Sequence, residues 1–316
     1  MMKKLLATLI ALTLVAGFAA CAATPAAPAA TDAPVVEATE APVVEATEAP
    51  VEAVVFDKDI VVVSREDGSG TRGAFIELMG VEQKDADGKK VDYTTLDAEI
   101  VNGTSVVLQT VAGNDAAIGY ISLGSLNDTV KALQIDGADA TVANIKNGTY
   151  KVARPFNIAT QAEISEAAQA FIDFILSAEG QAVVQENKYI ASVDNAPAFA
   201  GSTVAGKVVV AGSSSVTPVM EKLKEAYMAI NPNAVIEIQL SDSSAGVKMA
   251  IEGNCDIGMA SRELKDSEIA AGVTPTVIAI DGIAIISNLG NPIVGLSAEQ
   301  VRQIYVGELT NWAAIK

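Results

Sequence analysis

The chain has 316 residues, a formal net charge of −18 and no histidine. Its length allows two domains with a sizeable core. The acidity argues against nucleic-acid binding, and the lack of histidine excludes Ser-His triads and histidine-ligated metals. Half of the residues are hydrophobic, mostly Ala, Val and Ile, which suits an α/β protein with buried parallel strands.

Residues 1–21 have the pattern of a secretory signal. Two lysines precede a short apolar run at 5–20, which is too short to span a bilayer. Cys21 follows at once, and GFAAC resembles a lipoprotein cleavage site. We therefore expect a lipid on Cys21 that anchors the chain to the outer face of the cell membrane. Simple cleavage that leaves the cysteine free is the alternative.

Residues 22–56 are rich in Pro, Ala and acidic side chains. The octapeptide APVVEATE occurs at 33–40 and again at 41–48. This composition predicts a disordered, extended tether that holds a folded domain away from a membrane. If Cys21 is lipidated, the only other cysteine, Cys255, has no disulfide partner and is expected to be a buried thiol.

The stretch DIVVVSREDGSGTRGAF, residues 59–75, joins an apolar strand at 60–63 to a glycine-rich turn. Residues 68–73 fit the dinucleotide fingerprint G-x-G-x-x-G. Four residues separate the strand from the first glycine. The acidic residues about twenty positions on, Asp87 and Asp92, lie in the polar stretch QKDADGKKVDY, which predicts a loop and not a second strand. NAD binding is therefore disfavoured. A helix start can hold other anions, because free N–H groups and the positive end of the helix dipole meet there.

Three later segments repeat this order of apolar strand, Ser/Gly-rich turn and helix; they lie at 207–230, 234–253 and 255–272. In the first, a helix is expected to begin at Thr217-Pro218, where Thr can cap and Pro suits the first turn. Strands joined by helices predict a parallel sheet, whose strands end at one edge. Each turn alone could simply cap its helix, but four converging turns would form a neutral cup for an anion.

Several motifs resemble those of the phosphate-binding proteins of ABC transporters, the PstS family. They are SREDGSGTRGAF, GYISLGSL, FIDFILSAEGQAVV, VAGSSSVTPVMEKL, LSDSSAGVKMAIEG, DIGMASREL and ELTNW. The resemblance spans 57–316 and implies a two-lobed α/β clamp of the type II periplasmic-binding-protein fold. Such a clamp closes on one inorganic phosphate and delivers it to the transmembrane subunits of an ABC permease. A monomer without cofactor, metal or catalytic residues is also implied.

The resemblance further implies which residues bind phosphate: Arg65, Ser69, Gly70, Thr71, Ser214, Ser215, Ser243 and Ser261. Asp67 is implied to orient Arg65, and Asp242 to lie behind the site. Arg72, one turn into the helix, is expected to face solvent.

One departure from the family concerns the proton of hydrogenphosphate. Better-known members have an aspartate after the D-x-G-x-S run, where this chain has Ser261. A carboxylate accepts that proton and so rejects sulfate, whereas a hydroxyl can accept or donate. Asp242 and Glu263 are the candidate replacement acceptors.

The order of the motifs is a larger departure. In the family the GSSSVTP half comes first and SREDGSGTR follows LTNW, whereas here the halves are exchanged. This predicts a circular permutation, with one continuous lobe at 150–282 and one split lobe at 57–149 plus 283–316. A fragment of a tandem or misassembled gene is the alternative.

The permutation makes three local predictions. Residues 276–288 should contain a crossover between the lobes, and 196–206 should form an exposed linker. The chain end after LTNWAAIK should lie beside 57–60.

The sequence alone leaves two other functions open. A phosphate-ester hydrolase could use a serine of the cup, but it would need a general base or a metal, and the sequence offers no histidine. A surface sensor or adhesin could keep the clamp without a permease.

Overall fold

The computed structural model describes residues 56–315, so the predicted leader, the Cys21 anchor and the tether up to residue 55 lie outside it. Within the described range the chain forms 14 strands and nine α-helices. The strands are β1 (Val61–Arg65), β2 (Glu82–Lys84), β3 (Lys90–Asp92), β4 (Glu99–Val101), β5 (Ala117–Ser122), β6 (Val130–Ala132), β7 (Gln134–Ile135), β8 (Ala153–Gln161), β9 (Ile190–Ala191), β10 (Gly206–Ser213), β11 (Ala234–Ser241), β12 (Ile257–Ala260), β13 (Val273–Asn288) and β14 (Gly295–Leu296). The helices are α1 (Gly70–Leu78), α2 (Thr104–Gly113), α3 (Val142–Lys146), α4 (Glu166–Ile175), α5 (Ala178–Glu186), α6 (Thr217–Ile230), α7 (Ser243–Ile251), α8 (Asp266–Ala270) and α9 (Ala298–Tyr305).

No described helix combines the length and the apolar character needed to span a membrane.

Ten of the strands form one curled mixed sheet. Along its main path the order is β11-β10-β12-β8-β13-β5-β1-β4, and β6 and β9 also pair with β13. The strands near each end of this path are parallel, as the strand–turn–helix order predicts. In the middle, β8 and β13 run antiparallel to each other and to their outer neighbours.

Two large hydrophobic cores lie on either side of these middle strands. The first is built from buried side chains within 62–152 and 283–312, and the second from those within 156–279. A smaller cluster extends the second core beneath α7. The division between the cores falls at the start of β8 and inside β13. β13 therefore passes from one core to the other within 276–288, the stretch where the crossover between the lobes is predicted.

β13, with 16 residues, is the longest strand of the described chain. In its second half the run Ile283–Ile286 is fully buried, and a continuous apolar run of this kind is typical of a strand covered on both faces. A bulge between Val277 and Ala279 interrupts the register with β8. Such bulges bend a strand and increase its twist.

The two ends of the described chain lie side by side. Asp59 and Asn311 form an antiparallel bridge, and the Ile60 N–H donates to the Thr310 carbonyl at 2.7 Å. The predicted proximity of the entry strand and the segment after LTNW is thus confirmed.

The segment 196–206 is a surface connection, as expected. None of its residues is buried, and Phe199 fixes it by packing edge-on against Phe174 and Tyr227, with ring centroids 5.4 and 6.1 Å away.

Two local expectations are corrected. The first strand extends to Arg65 instead of ending at 63, so Arg65 belongs to β1. Thr217 does not cap α6, whose N-cap is Val216 without a side-chain hydrogen bond. The Thr217 hydroxyl donates instead to the Ser213 carbonyl at 3.0 Å, because the tight turn after β10 brings that carbonyl within reach.

Candidate functional site

The predicted site residues come together where the two cores meet. Thr71 Oγ1 lies 2.8 Å from Ser215 Oγ, and Arg65 Nη2 donates to Ser214 Oγ at 3.1 Å. These contacts join residues of the first core's strands and helices to the turn that follows β10. We call the site the anion cup and define it as Arg65, Ser69, Gly70, Thr71, Thr104, Ser214, Ser215, Ser243 and Ser261.

Gly70 permits a close approach between two turns of the anion cup. A Cβ atom at this position would overlap Ser243 Oγ and would lie 2.8 Å from Ser261 Oγ. The start of α1 can therefore reach the α7 turn only because residue 70 has no side chain.

Four helices begin at or beside the anion cup. Ser69 caps α1 by accepting from the Arg72 N–H at 3.2 Å. Asp242 caps α7 by accepting from the Ala245 N–H at 2.8 Å. α2 begins at Thr104, and α6 follows the turn that contains Ser214 and Ser215. The first-turn N–H groups and helix dipoles favour negative charge at this place.

Arg65 is the buried cation of the anion cup, with an exposed fraction of 1%. Its Nε and Nη2 donate to the two carboxylate oxygens of Glu66 at 2.7 and 2.6 Å. Burial alone would raise the pKa of the Glu66 carboxyl, but hydrogen bonds and charge from Arg65 hold that pKa below its ordinary value.

The prediction that Asp67 orients Arg65 is wrong. The Asp67 side chain is 97% exposed and pairs with Arg72 at 2.9 Å. Glu66 takes the predicted role because it also accepts from the Gly103 N–H at 3.3 Å, which holds its carboxylate beside the cup.

The prediction that Arg72 faces solvent is also wrong. Its side chain is 14% exposed, and its Nε donates to Asp92 at 2.9 Å. Its Nη1 donates to the Arg65 carbonyl at 2.7 Å. A carbonyl at the end of a strand needs a donor when it is shielded from water, and Arg72 provides it.

The second half of the anion cup is held by serine contacts. Ser243 Oγ accepts from the Ser261 N–H at 3.1 Å, and the two hydroxyls are 3.3 Å apart. The carboxylate of Asp242, the residue before Ser243, lies against Gly68. Glu263 is exposed and lines a separate groove of about 660 Å³ beside α1.

Thr104 is a member of the anion cup that sequence reasoning missed. Its exposed fraction is 6%, and its Oγ1 lies 3.1 Å from Ser215 Oγ and 3.3 Å from Ser214 Oγ. The signal was present in the sequence, because EIVNGTSVV repeats the order of strand, turn and helix.

A second buried arginine lies in the middle strands. Arg154 Nη2 donates to Asp281 at 3.2 Å, and Ser122 Oγ donates to the other oxygen of that carboxylate at 2.9 Å. Burial raises the pKa of Asp281 to about 6, although Arg154 and Ser122 oppose the shift. Burial likewise lowers the pKa of Arg154 to about 10.

Within residues 56–315, no group of three Asp, Glu or Cys side chains is arranged to hold a metal ion.

A family model described as a PBP superfamily domain matches residues 52–179 and 197–314. The chain is also 56% identical over 255 residues to the phosphate-binding protein PstS 2 of Streptococcus agalactiae, an alignment that covers 80% of this chain and 87% of that one. The chain belongs to the PBP superfamily and is PstS-like.

Two further matches involve Streptococcus pneumoniae. The PstS-like chain is 46% identical over 257 residues to its phosphate-binding protein PstS 2, covering 81% of this chain and 88% of that one. It is also similar to the crystal structure of a phosphate ABC transporter, phosphate-binding protein from that organism, with a TM-score of 0.65 and 46% identity, covering 82% of this chain and 100% of that one. The PstS-like chain therefore shares its motif order with these relatives.

Proposed function

We propose that this chain captures inorganic phosphate in the anion cup and delivers it to the transmembrane subunits of an ABC permease. The observation that carries the proposal is the meeting of both halves of the chain around one buried arginine, through Thr71–Ser215 and Arg65–Ser214. The relatives that share this chain's order are named phosphate-binding proteins.

An acidic protein can bind phosphate in such a cup. Affinity at contact distance depends on local donors, and hydrogen bonds in which one partner is ionised are the strong ones. The net charge of −18 acts at longer range and is screened over about 8–10 Å at ordinary salt.

We assign the phosphate contacts to Arg65, Ser69, Gly70, Thr71, Ser214, Ser215, Ser243 and Ser261. Nε and one N–H of Nη2 already donate to Glu66. Arg65 would therefore meet the anion with Nη1 and the second N–H of Nη2. Asp242, next to Ser243 in the chain, is the remaining candidate for accepting the phosphate proton.

We propose two lobes, 150–282 and 57–149 plus 283–316, that close on the anion. The two cores support these boundaries to within a few residues, since they divide at 152–156 and 279–283. One small anion can reach the donors of both lobes only when the lobes meet.

We also propose that the motif order is a circular permutation. The side-by-side chain ends support it. The shared order in two Streptococcus relatives argues against a misassembled gene, because those alignments cover 87% and 88% of the relatives.

A lipid on Cys21 and the tether at 22–56 would hold a monomeric receptor at the outer face of the cell membrane. The signal-like residues 1–21 support this location. Binding proteins of ABC phosphate transporters work outside the cytoplasmic membrane and are not enzymes. The comparisons give no support to a hydrolase, a sensor or an adhesin.

Calorimetry on the full-length chain in detergent micelles tests the proposal. Titration with phosphate, arsenate and sulfate should give saturable heat with phosphate at one site per chain. The ratio of phosphate to sulfate affinity tests Asp242 as proton acceptor. Absence of phosphate binding would overturn the proposal, and release of phosphate from esters would favour the hydrolase.

A further inference from the structure

We infer that Thr104 and the start of α2 form a further wall of the anion cup, and that Thr104 Oγ1 donates a hydrogen bond to the bound phosphate. The inference rests on the proposed function and adds a binding residue to it.

The position of the Thr104 hydroxyl is the first support. Thr104 Oγ1 lies 3.1 Å from Ser215 Oγ, 3.3 Å from Ser214 Oγ and 3.5 Å from Arg65 Nη1. All four side chains belong to residues with exposed fractions of 6% or less. A phosphate oxygen that contacts Arg65 and either serine therefore falls within reach of the Thr104 hydroxyl.

The direction of the hydrogen bonds is the second support. The guanidinium of Arg65 can only donate, so Thr104 Oγ1 accepts on the side that faces it. The Thr104 proton is then free to turn toward another acceptor. Phosphate oxygens offer stronger acceptors than neighbouring hydroxyls do, because they carry charge. Entry of the anion would replace the hydroxyl–hydroxyl contacts with hydroxyl–phosphate bonds.

The start of α2 is the third support. Its N-cap is Gly103, with φ = 83°, and no side chain caps the helix. The Gly103 N–H donates at 3.3 Å to Glu66 Oε2, the same oxygen that accepts from Arg65 Nε. One carboxylate therefore fixes the binding arginine and the start of α2 relative to each other. The N-terminus of α2, which no side chain caps, therefore lies beside Arg65 in the cup.

Thr104 also connects the two cores. α2 contributes Val107 and Val111 to the first core, whereas Ser214 and Ser215 follow β10, whose Val208 and Val210 belong to the second. A phosphate bound by Thr104 and the two serines would therefore add to the bonds that hold the closed form together.

The test compares variants at residue 104 by phosphate calorimetry on the full-length chain in detergent micelles. Thr104→Ser and Thr104→Ala both lose the methyl group and differ only in the hydroxyl. We expect Thr104→Ala to weaken phosphate binding about 10- to 100-fold, the range for a hydrogen bond to a charged group. Thr104→Ser should stay within about threefold of the parent chain. The near-isosteric Thr104→Val should resemble Thr104→Ala.

Ser105→Ala is the matched control, because its side chain is the adjacent, exposed hydroxyl, and it should bind phosphate like the parent chain. A structural role of Thr104 would make Ser and Ala equally weak, and that result would overturn the inference. Equal affinity of Thr104→Ala and the parent would also overturn it, while phosphate binding by the parent would leave the proposed function intact. If Thr104→Val does not fold, the Ser/Ala pair decides the question alone.

Discussion

Two arginine side chains are buried in the part of the chain that the structure describes, Arg65 and Arg154, with exposed fractions of 1% and 3%. Each is paired with a carboxylate, but the surroundings differ. Glu66, the partner of Arg65, is 19% exposed, whereas the Asp281 side chain is fully buried. Arg65 donates to hydroxyls as well, while Nε and Nη1 of Arg154 have no hydrogen-bond partner among the described residues.

This difference shows what makes a buried arginine available to a ligand. Hydroxyl groups can rotate away and leave the donors of Arg65 free for an anion. Arg154 lies on β8 opposite Asp281 of β13, and its guanidinium carbon is 5.3 Å from the centroid of the Phe156 ring. We therefore expect Arg154 to stabilise the middle strands and Arg65 to serve the proposed binding.

Removing Arg154 should have the largest effect. In Arg154→Met the buried Asp281 loses its cation, and such a loss costs about 3–5 kcal/mol of unfolding free energy. The loss should be smaller at pH 5 than at pH 7, because Asp281 can then take up a proton. Urea unfolding followed by the fluorescence of Trp312, which is 1% exposed, measures both values.

Lys207→Met provides the control for Arg154→Met. Lys207 pairs with Glu237 at the surface, with side-chain exposures of 57% and 43%, and its loss should leave the unfolding free energy unchanged. Equal destabilisation by both variants would remove the distinction between the two kinds of ion pair.

Arg65→Ala should mainly affect binding. Truncating one member of a buried, charged contact costs about 2–5 kcal/mol, which is about 30-fold or more in the dissociation constant for phosphate. Arg302→Ala, at a surface ion pair away from the cup, should bind normally. Unchanged phosphate affinity of Arg65→Ala by calorimetry would contradict the assignment of the cup.

The residues that surround the cup could be predicted from the sequence, whereas the carboxylate partner of Arg65 could not. The local order of strand, turn and helix predicts the turns that contain Ser69, Ser214 and Ser243, and the resemblance to the PstS family implies that these serines belong to the site. Glu66 and Asp67 are adjacent acids, and only the course of the backbone after β1 decides which one faces Arg65.

The ion pair between Arg154 and Asp281 could not be predicted from local sequence patterns. Arg154 meets Asp281 because β8 and β13 pair in one particular register, which depends on the packing of distant segments. Thr104 could have been predicted from the sequence, because its turn has the same order of strand, turn and helix as the others. The single Thr in NGTS made that turn less conspicuous than the serine-rich ones.

Asp281 should give the middle strands a pH dependence of their own. Its pKa is raised by burial from 3.8 to about 6, so the folded chain holds an extra proton between these values. The contribution of Asp281 to stability is then complete below about pH 3.8 and is lost as the pH rises through about 6. As the pH rises through this window, the unfolding free energy of the parent chain should fall relative to that of Asp281→Asn by at most about 1.4 kcal/mol per pH unit. Identical pH profiles of the two chains would contradict the raised pKa.

Glu66→Gln should have the smallest effect of the four. The amide keeps one acceptor but loses the charge that holds Arg65, and we expect roughly tenfold weaker phosphate binding, or about 1.4 kcal/mol. Asp67→Asn is the matched control, because its side chain is 97% exposed, and its affinity should be unchanged. The reverse outcome would restore Asp67 as the partner of Arg65.

The contact between 57–60 and 310–312 makes the backbone of the folded part nearly a closed ring. Two surface segments of this ring could carry the chain ends. One is the place where the present ends meet, and the other is the connection at 196–206, which has no buried residue. A gene that joins the present ends through a few residues and opens the ring at 196–206 would encode the same set of contacts in the cup. The chain ends would then be exchanged between two surface positions while the cup stayed the same, because no residue of the cup belongs to either of these segments.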